Sequence, residues 1–405
     1  MQPLRLSTEV TDVILALNAG SSSLKFGLYA WRGDRENLDI LLSGGLKRGE
    51  EDCSHFTATA ADGTNVFDEQ WTIGVEDDAV GRLLERVEAL SNSARLLAVG
   101  HRVVHGGADF SDPVLVDDMV LARLDDLTPL VPLHQPTSLA PIRTIRAIRP
   151  RLPQVACFDT AFHRTISPPA SRYALPRAFE TGGIRRYGFH GLSYESIAEQ
   201  IAAEDGRQPD AQHSRIIVAH LGNGASLCAL AGLKSVDTTM GFSTLDGLVM
   251  GTRPGALDPG ILLYLMREKG YSADGLEQLL YRESGLLGVS GISADVAVLE
   301  ASKQATAIEA LDLFAFQVAR QAAALTATLG GIDRFIFTGG IGEHSATVRR
   351  MIARRLEWLG AHLDEQANVS SLTTISTTAS SILLERRSTQ EELMIARHVL
   401  ACLRL

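Results

Sequence analysis

Several kinds of chemistry are set aside by what this 405-residue chain lacks. Its four cysteines, Cys53, Cys157, Cys228 and Cys402, are scattered with no C-x-x-C pair. That pattern suits free thiols in a reducing compartment better than a disulfide framework or a zinc site. Basic residues are outnumbered, 38 against 48, and a net charge of −10 argues against non-specific nucleic-acid binding. Residues 1–10 have no signal-peptide apolar core, so a cytoplasmic protein is expected. No membrane partner is expected either. The longest apolar-looking stretch, Ile308 to Leu329, is interrupted by Glu309, Asp312, Arg320 and Gln321. Its larger apolar residues (Ile308, Leu311, Phe314, Val318, Leu325, Leu329) recur at helical spacing, which predicts a buried amphipathic helix. There is no G-x-S-x-G elbow, no G-x-G-x-x-G fingerprint and no Walker A loop.

What is present is a series of small-residue turns beside apolar runs. Val13-Ile-Leu-Ala-Leu17 reads as a buried strand, and Phe26-Gly-Leu-Tyr29 as a second. Between them, Asn18-Ala-Gly-Ser-Ser-Ser-Leu-Lys25 offers hydroxyls and bare N–H groups in one tight turn, a cradle for phosphate oxygens. Further strands are predicted near 39–46, 96–104 and 154–158, with a helix near 76–91. The length implies two domains, and the alternation of strands and helices an α/β protein. A Pro-, Gly- and Arg-rich stretch, Ser167 to Gly191, reads as a crossing between them.

The opening pattern then returns. Arg215-Ile-Ile-Val-Ala-His-Leu-Gly-Asn-Gly-Ala-Ser-Leu-Cys-Ala-Leu230 is again strand, small-residue turn and strand, as expected of a duplicated fold with two phosphate hairpins, with two unrelated β-hairpins as the alternative. A third such element is Arg334-Phe-Ile-Phe-Thr-Gly-Gly-Ile-Gly-Glu-His-Ser345, a strand entering a glycine turn and then a helix, suited to polar nucleotide edges.

Arg102, in Gly100-His-Arg-Val-Val-His-Gly-Gly107, and Arg253, in Gly251-Thr-Arg253, stand beside glycine turns, where a guanidinium can hold a carboxylate or phosphate in bidentate fashion. A structural ion pair is the alternative for Arg102. His101 and His105 have zincin spacing, but the intervening Glu is missing. Asp159 follows the short strand 154–158, where open α/β sheets bind ligands. His190 is isolated within Tyr187-Gly-Phe-His-Gly191. This inventory matches phosphoryl transfer, in which positioning and charge neutralisation supply most of the catalysis.

Together these segments, with Phe158-Asp-Thr-Ala-Phe-His163, His220-Leu-Gly-Asn-Gly224 and Phe337-Thr-Gly-Gly-Ile-Gly-Glu343, resemble the acetate kinase family of the acetate and sugar kinase/heat-shock/actin superfamily, in order and over almost the whole chain. The resemblance implies two duplicated actin-like (ribonuclease H-like) α/β domains flanking a central nucleotide cleft. The first would be 1–158 plus 390–405, with a returning C-terminal helix, and the second 159–389, carrying the adenosine site. It implies reversible in-line transfer of the ATP γ-phosphate to acetate, with Mg2+ or Mn2+ as cofactor, and a homodimer.

The implied roles fall on matching positions. Asn18 and Glu391 would serve the metal, with Glu392 the neighbouring candidate. Ser21, Ser23 and Lys25 would line the phosphate side. Arg102 and Arg253 would hold the acetate carboxylate and spread charge on the transferring group, and His190 would donate a hydrogen bond to it. Asp159 would orient an arginine. His220, Gly222, Asn223 and Gly224 would form the second phosphate hairpin. Asp295, Gly339, Gly340 and Gly342 would contact the adenosine, and Val104, Leu133 and Phe189 the acetate methyl. Three positions depart from the family pattern. Thr244 stands for a proline of the acyl pocket, Gln390 for an asparagine beside the metal carboxylate, and His344 for an asparagine near the purine. Acetate against propionate therefore stays open. An ATP-driven conformational module, which would turn ATP over without acetate, is the rival from another class.

Overall fold

The computed structural model describes residues 12–20, 23–33, 38–48, 53–72, 76–90, 94–205 and 214–404. It divides into two compact units, Met1–Ala161 with Gln390–Leu405, and Phe162–Thr389.

The first unit is built on strands β1 (Asp12–Ala19), β2 (Ser23–Trp31), β3 (Leu38–Arg48), β4 (Cys53–Ala60), β5 (Asn65–Thr72), β6 (Arg95–Val103), β7 (Val114–Leu115) and β8 (Gln154–Phe158). They form one sheet in the order β5-β4-β3-β2-β1-β6-β8-β7. β1 is buried along nearly its whole length, which is why its sequence is an unbroken apolar run and not an alternating one. It pairs antiparallel with β2, Asn18 opposite Lys25, and parallel with β6. β6 and β8 are also parallel, so the carboxyl ends of β1, β6 and β8 lie at the same sheet edge.

Strands β4 and β5 are not evident in the sequence. Their inward residues are Ser54, Phe56, Ala58, Phe67 and Trp71, set among Thr, His, Asp and Glu, so the apolar signal is thin. Phe56 stacks on Trp71 with ring centroids 4.3 Å apart, and Phe26 stacks on Phe56 at 5.9 Å. Each fully buried side chain of this size contributes about 1.5–3 kcal/mol, enough to fix the register of a strand that is otherwise polar.

The C-terminal helix Glu391–Leu403 packs on β1 and β6. Gly100 makes this approach possible, because a methyl group there would lie inside van der Waals contact of Ile395 and Val399. The helix thereby brings its first turn, Glu391 and Glu392, to the end of β1.

The second unit contains β9 (Arg215–Leu221), β10 (Ala225–Ala231), β11 (Lys234–Thr238), β12 (Arg334–Thr338) and β13 (Leu383–Arg386), ordered β11-β10-β9-β12-β13. β9, β10 and β11 are antiparallel neighbours, and β9, β12 and β13 are parallel ones. The same arrangement, three antiparallel strands continued by two parallel ones, occupies β3-β2-β1-β6-β8 of the first unit. The fold is α/β, with two duplicated actin-like domains.

Two segments differ from what the sequence predicts. Ser167–Gly191 is not a crossing but part of the second unit, fastened by Arg186 N–H to Ser171 O at 3.0 Å and Tyr187 N–H to Gly241 O at 3.0 Å. The long helix, Ala305–Leu329, buries Leu311, Phe314, Val318 and Leu325, but Ile308 faces outward at 58% exposure. Among the described residues, no helix is long and apolar enough to cross a membrane.

Candidate active site

In the first unit, charged and polar side chains gather at the carboxyl ends of β1, β6 and β8. Asn18, buried near the end of β1, donates both amide hydrogens, to Glu391 Oε2 at 2.8 Å and Glu392 Oε1 at 3.1 Å. Arg102, near the end of β6, donates from Nε and Nη2 to Asp159 Oδ2 at 2.9 and 2.5 Å. Its Nη1 reaches Ala19 O, at the lip of the β1–β2 hairpin, at 3.4 Å. Asp159 follows β8 and is placed there by its own N–H, which donates to Val103 O at 3.1 Å.

Burial opposes charge on Arg102, but Asp159, Glu391 and Glu392 outweigh it and hold its pKa above the ordinary value. Burial raises the pKa of both glutamates. Asp159 adds to this at Glu391, and Glu391 adds to it at Glu392, while Asn18 and Lys25 oppose it at both. Asp159 is only 1% exposed, and its Oδ1 is buried with no hydrogen-bond partner. Three carboxyl groups thus face two cationic side chains, and the buried Asp159 Oδ1 is unspent. That donor set suits a divalent cation that keeps several waters and takes one or two protein carboxylates. No group of three metal-ligating His, Cys, Asp or Glu side chains stands together among the described residues.

Ser23 and Lys25 lie on β2, and Gly20 N–H donates to Ser23 O at 2.8 Å, closing the hairpin. Ser21 lies outside the described residues. The loop after β6 is held by groups that carry no sequence signature. Gln135 Nε2 donates to His105 O and Leu124 O, and Thr160 Oγ1 accepts the Gly106 N–H at 3.0 Å. His105 Nδ1 accepts the Gly107 N–H at 2.8 Å, and burial lowers the His101 and His105 pKa values to about 4. Both are neutral structural imidazoles. Val104 is buried in this loop and Leu133 half-buried in the first unit, whereas Phe189 is buried in the second.

In the second unit the β9–β10 hairpin turns through Gly222-Asn223-Gly224, closed by Gly222 N–H to Gly224 O at 3.0 Å. A methyl group on Gly224 would stand 3.0 Å from Arg253 Nη2 and 3.3 Å from His190 Nε2, so both side chains converge on this turn. Asn223 O accepts the Gly251 N–H at 3.2 Å, tying the turn to the loop that carries Arg253. Thr244 orients Arg253 through its backbone, its carbonyl accepting from Nη1 at 2.9 Å. His190 adopts φ 59°, unusual outside glycine, and its ring stacks on His220 with centroids 4.3 Å apart.

The glycines after β12 are not a separate turn but open the short helix Gly339–His344 directly. Gly339 has φ 77° and a methyl there would lie 2.8 Å from Leu221 O; the Gly340 N–H lies close to Gly222. Gly342 is buried, and Arg349 donates to the carbonyls of Gly342 and Glu343, anchoring this helix from behind. His344 is exposed. Asp295 Oδ1 accepts the Ala297 N–H at 2.8 Å as the cap of the helix Val296–Ala301. Ala294 O lies against Gly251, so this cap neighbours the Arg253 loop. Asp258 and Asp246 serve local structure, accepting the N–H groups of Gly260 and Gly247.

A family model described as the acetokinase family matches residues 13–397. The curated acetate kinase of Rhodopseudomonas palustris is 47% identical over 399 residues, covering 96% of this chain and 98% of that protein. Among solved structures, a propionate kinase from Francisella tularensis superposes with a TM-score of 0.86 at 36% identity, covering 96% of this chain and 99% of its own. Porphyromonas gingivalis acetate kinase gives 0.83 at 34%, covering 97% and 100%. The gathered charges of one sheet, the glycine turns of the other and these matches agree: the chain belongs to the acetokinase family.

Proposed function

We propose that this protein is an ATP:acetate phosphotransferase, moving the γ-phosphate of ATP reversibly onto acetate to give acetyl phosphate and ADP. The observation that carries the reading is the repeated pairing of a small-residue hairpin with an arginine. Arg102 reaches Ala19 O on the first hairpin, and Arg253 lies against Gly224 on the second. An arginine beside a tight small-residue turn is the equipment for neutralising phosphoryl charge.

In the reaction, an acetate oxygen forms the new bond to the γ-phosphorus as the bond to the β,γ-bridging oxygen breaks, and the electron pair leaves with ADP. Arg102, held by Asp159, and Arg253, held by Thr244 O, would grip the carboxylate and the equatorial oxygens. His190 would donate from Nε2 to the transferring group. The hairpin residues Ser21, Ser23, Lys25, His220, Gly222, Asn223 and Gly224 would line the phosphates. The adenosine would rest against Asp295 and the turn of Gly339, Gly340 and Gly342. Val104, Leu133 and Phe189 would take the methyl group.

Asn18, Glu391 and Glu392, with the unspent Asp159 Oδ1 nearby, would hold Mg2+ or Mn2+. When bound, the ion neutralises phosphate charge and lets buried carboxylates ionise. We further propose a cytoplasmic homodimer. The helix Pro259–Glu268 supports the dimer, because it exposes Ile261, Leu263, Tyr264 and Met266 and buries none of its residues. A single monomeric boundary in sedimentation velocity would remove that part.

The activity is tested by ADP release from MgATP with and without acetate, trapping acyl phosphate with hydroxylamine. Acetate-dependent ADP with matching hydroxamate supports the proposal. ADP release indifferent to acetate supports the ATPase-module reading instead. Transfer is proposed to be direct, so chirally labelled γ-phosphate that retained its configuration would contradict it. A propionate preference is favoured by one feature, the buried Thr244 in a family with both acetate and propionate kinases. Specificity constants for the two acids decide it.

A further inference from the structure

His190 enters the proposed mechanism as a hydrogen-bond donor, and an imidazole donates from a given nitrogen only when its proton sits there. A neutral ring has one N–H and one lone pair, and the partner of one nitrogen decides the state of the other. Which nitrogen of His190 carries the proton therefore decides whether the ring attracts or repels a phosphoryl oxygen. The second unit contains the groups that make this choice.

The Nδ1 atom of His190 lies 2.9 Å from Ser226 Oγ, and the Tyr194 hydroxyl lies 2.5 Å from the same oxygen. Ser226 and Tyr194 are both 0% exposed. The arrangement follows from local structure. His190 directly precedes the helix Gly191–Asp205, and Tyr194 N–H donates to His190 O at 3.1 Å, so histidine and tyrosine stand one helical turn apart. Ser226 enters from β10, where it is registered opposite His220. His220 stacks on the His190 ring with centroids 4.3 Å apart, its Nδ1 lying 2.8 Å from Ser193 Oγ. The loop is held from below by His163 Nε2, 2.9 Å from Phe189 O.

We infer that Tyr194 and Ser226 form a hydroxyl relay that fixes His190 as its Nε2–H tautomer, making both residues positioning residues of the phosphoryl-transfer site. A phenol, with an ordinary pKa near 10, is a stronger acid than an aliphatic alcohol, so the short contact runs from Tyr194 O–H to Ser226 Oγ. The serine proton then points to His190 Nδ1 as acceptor. The ring proton stands on Nε2, the atom that converges with Arg253 on Gly224. Hydrogen bonds in such a chain polarise one another, which strengthens the second bond through the first. The inference rests on the role proposed for His190 above and adds what sets its state.

The test uses full-length protein labelled with 15N-histidine, with the His190 signals assigned by their loss in His190→Gln. The wild type is expected to show the Nε2–H pattern. Ser226→Ala is expected to lose that preference and Tyr194→Phe, which removes one oxygen only, to weaken it. Losing one buried hydrogen bond to a catalytic group corresponds to a fall of about tenfold in kcat, with KM for both substrates within about twofold. Ser226→Ala placed in the His190→Gln enzyme should slow it no further. A wild-type Nδ1–H pattern overturns the relay alone. So does an equal loss from Ser226→Ala with and without His190, which marks a merely structural role. Full kcat in His190→Gln overturns both the relay's purpose and the catalytic role of His190.

Discussion

Replacing Asp159 by asparagine probes the charge arrangement of the first unit most directly. Asp159 is 1% exposed and binds Arg102 through a single oxygen at 2.9 and 2.5 Å. Two unit charges about 4 Å apart attract by about 4 kcal/mol at an effective dielectric near 20. Removing one partner of a buried pair costs about 3–5 kcal/mol, because the other charge stays buried. Asparagine retains an acceptor, and Glu391 and Glu392 still face the guanidinium, so the expected loss is about 2–3 kcal/mol, below that full range. The chain has three tryptophans. Trp31 and Trp71 lie in the first unit and Trp358, which is exposed, in the second. In a Trp358→Phe background, denaturant unfolding followed by fluorescence therefore reports the first unit without assuming that both units melt together. Loss of the anchor also lets the Arg102 guanidinium wander, and misplacement by about 1 Å costs about 100-fold in turnover. Arg102→Gln added to Asp159→Asn should recover at least about 1 kcal/mol of stability by removing the stranded charge, without restoring turnover. Strict additivity of the two substitutions, or stability and kcat both unchanged in Asp159→Asn, would refute this account of the pair.

Three other outcomes are expected. The folded-state pKa values of Glu391 and Glu392 are raised, chiefly by burial. The folded protein therefore keeps protons that the unfolded chain gives up near pH 4.3, and their contribution to stability declines as pH rises from there through the folded values. Binding of Mg2+ should release protons and tighten with pH over the same window, and titration calorimetry in two buffers of different ionisation enthalpy that finds no proton release contradicts it. Gly339→Ala places a side chain at φ 77° and 2.8 Å from Leu221 O. The left-handed penalty of about 1–2 kcal/mol should appear as roughly a tenfold rise in KM for MgATP, with KM for acetate unchanged. Thr244→Pro removes a 96%-buried hydroxyl-bearing side chain while keeping the carbonyl that holds Arg253. It is expected to shift the ratio of acetate to propionate specificity constants by about 1 kcal/mol, roughly fivefold, and an unchanged ratio removes Thr244 as a specificity determinant.

The local chemistry of this protein is legible along the chain. Apolar runs ending in Asn18-Ala-Gly and in Leu221-Gly-Asn-Gly announce two hairpins, because a buried strand must be apolar and a tight turn must be small. Strands β4 and β5 were not legible, since Ser54 and Ala58 carry little apolar signal until Phe56 and Trp71 stack. Only the tertiary structure decided who meets whom. Glu391 bonds to Asn18 across 373 positions because Gly100 lets the last helix seat on β1 and β6. Arg102 finds Asp159 across 57 positions because β6 and β8 run parallel and end at one edge. Ser226 reaches both His190 and Tyr194 because β10 pairs with β9 in one register. A sequence names the groups that can neutralise, donate or ligate. Their pKa values, proton positions and unspent oxygens depend on burial and on neighbours distant in the chain, and those exist only once the sheets have formed.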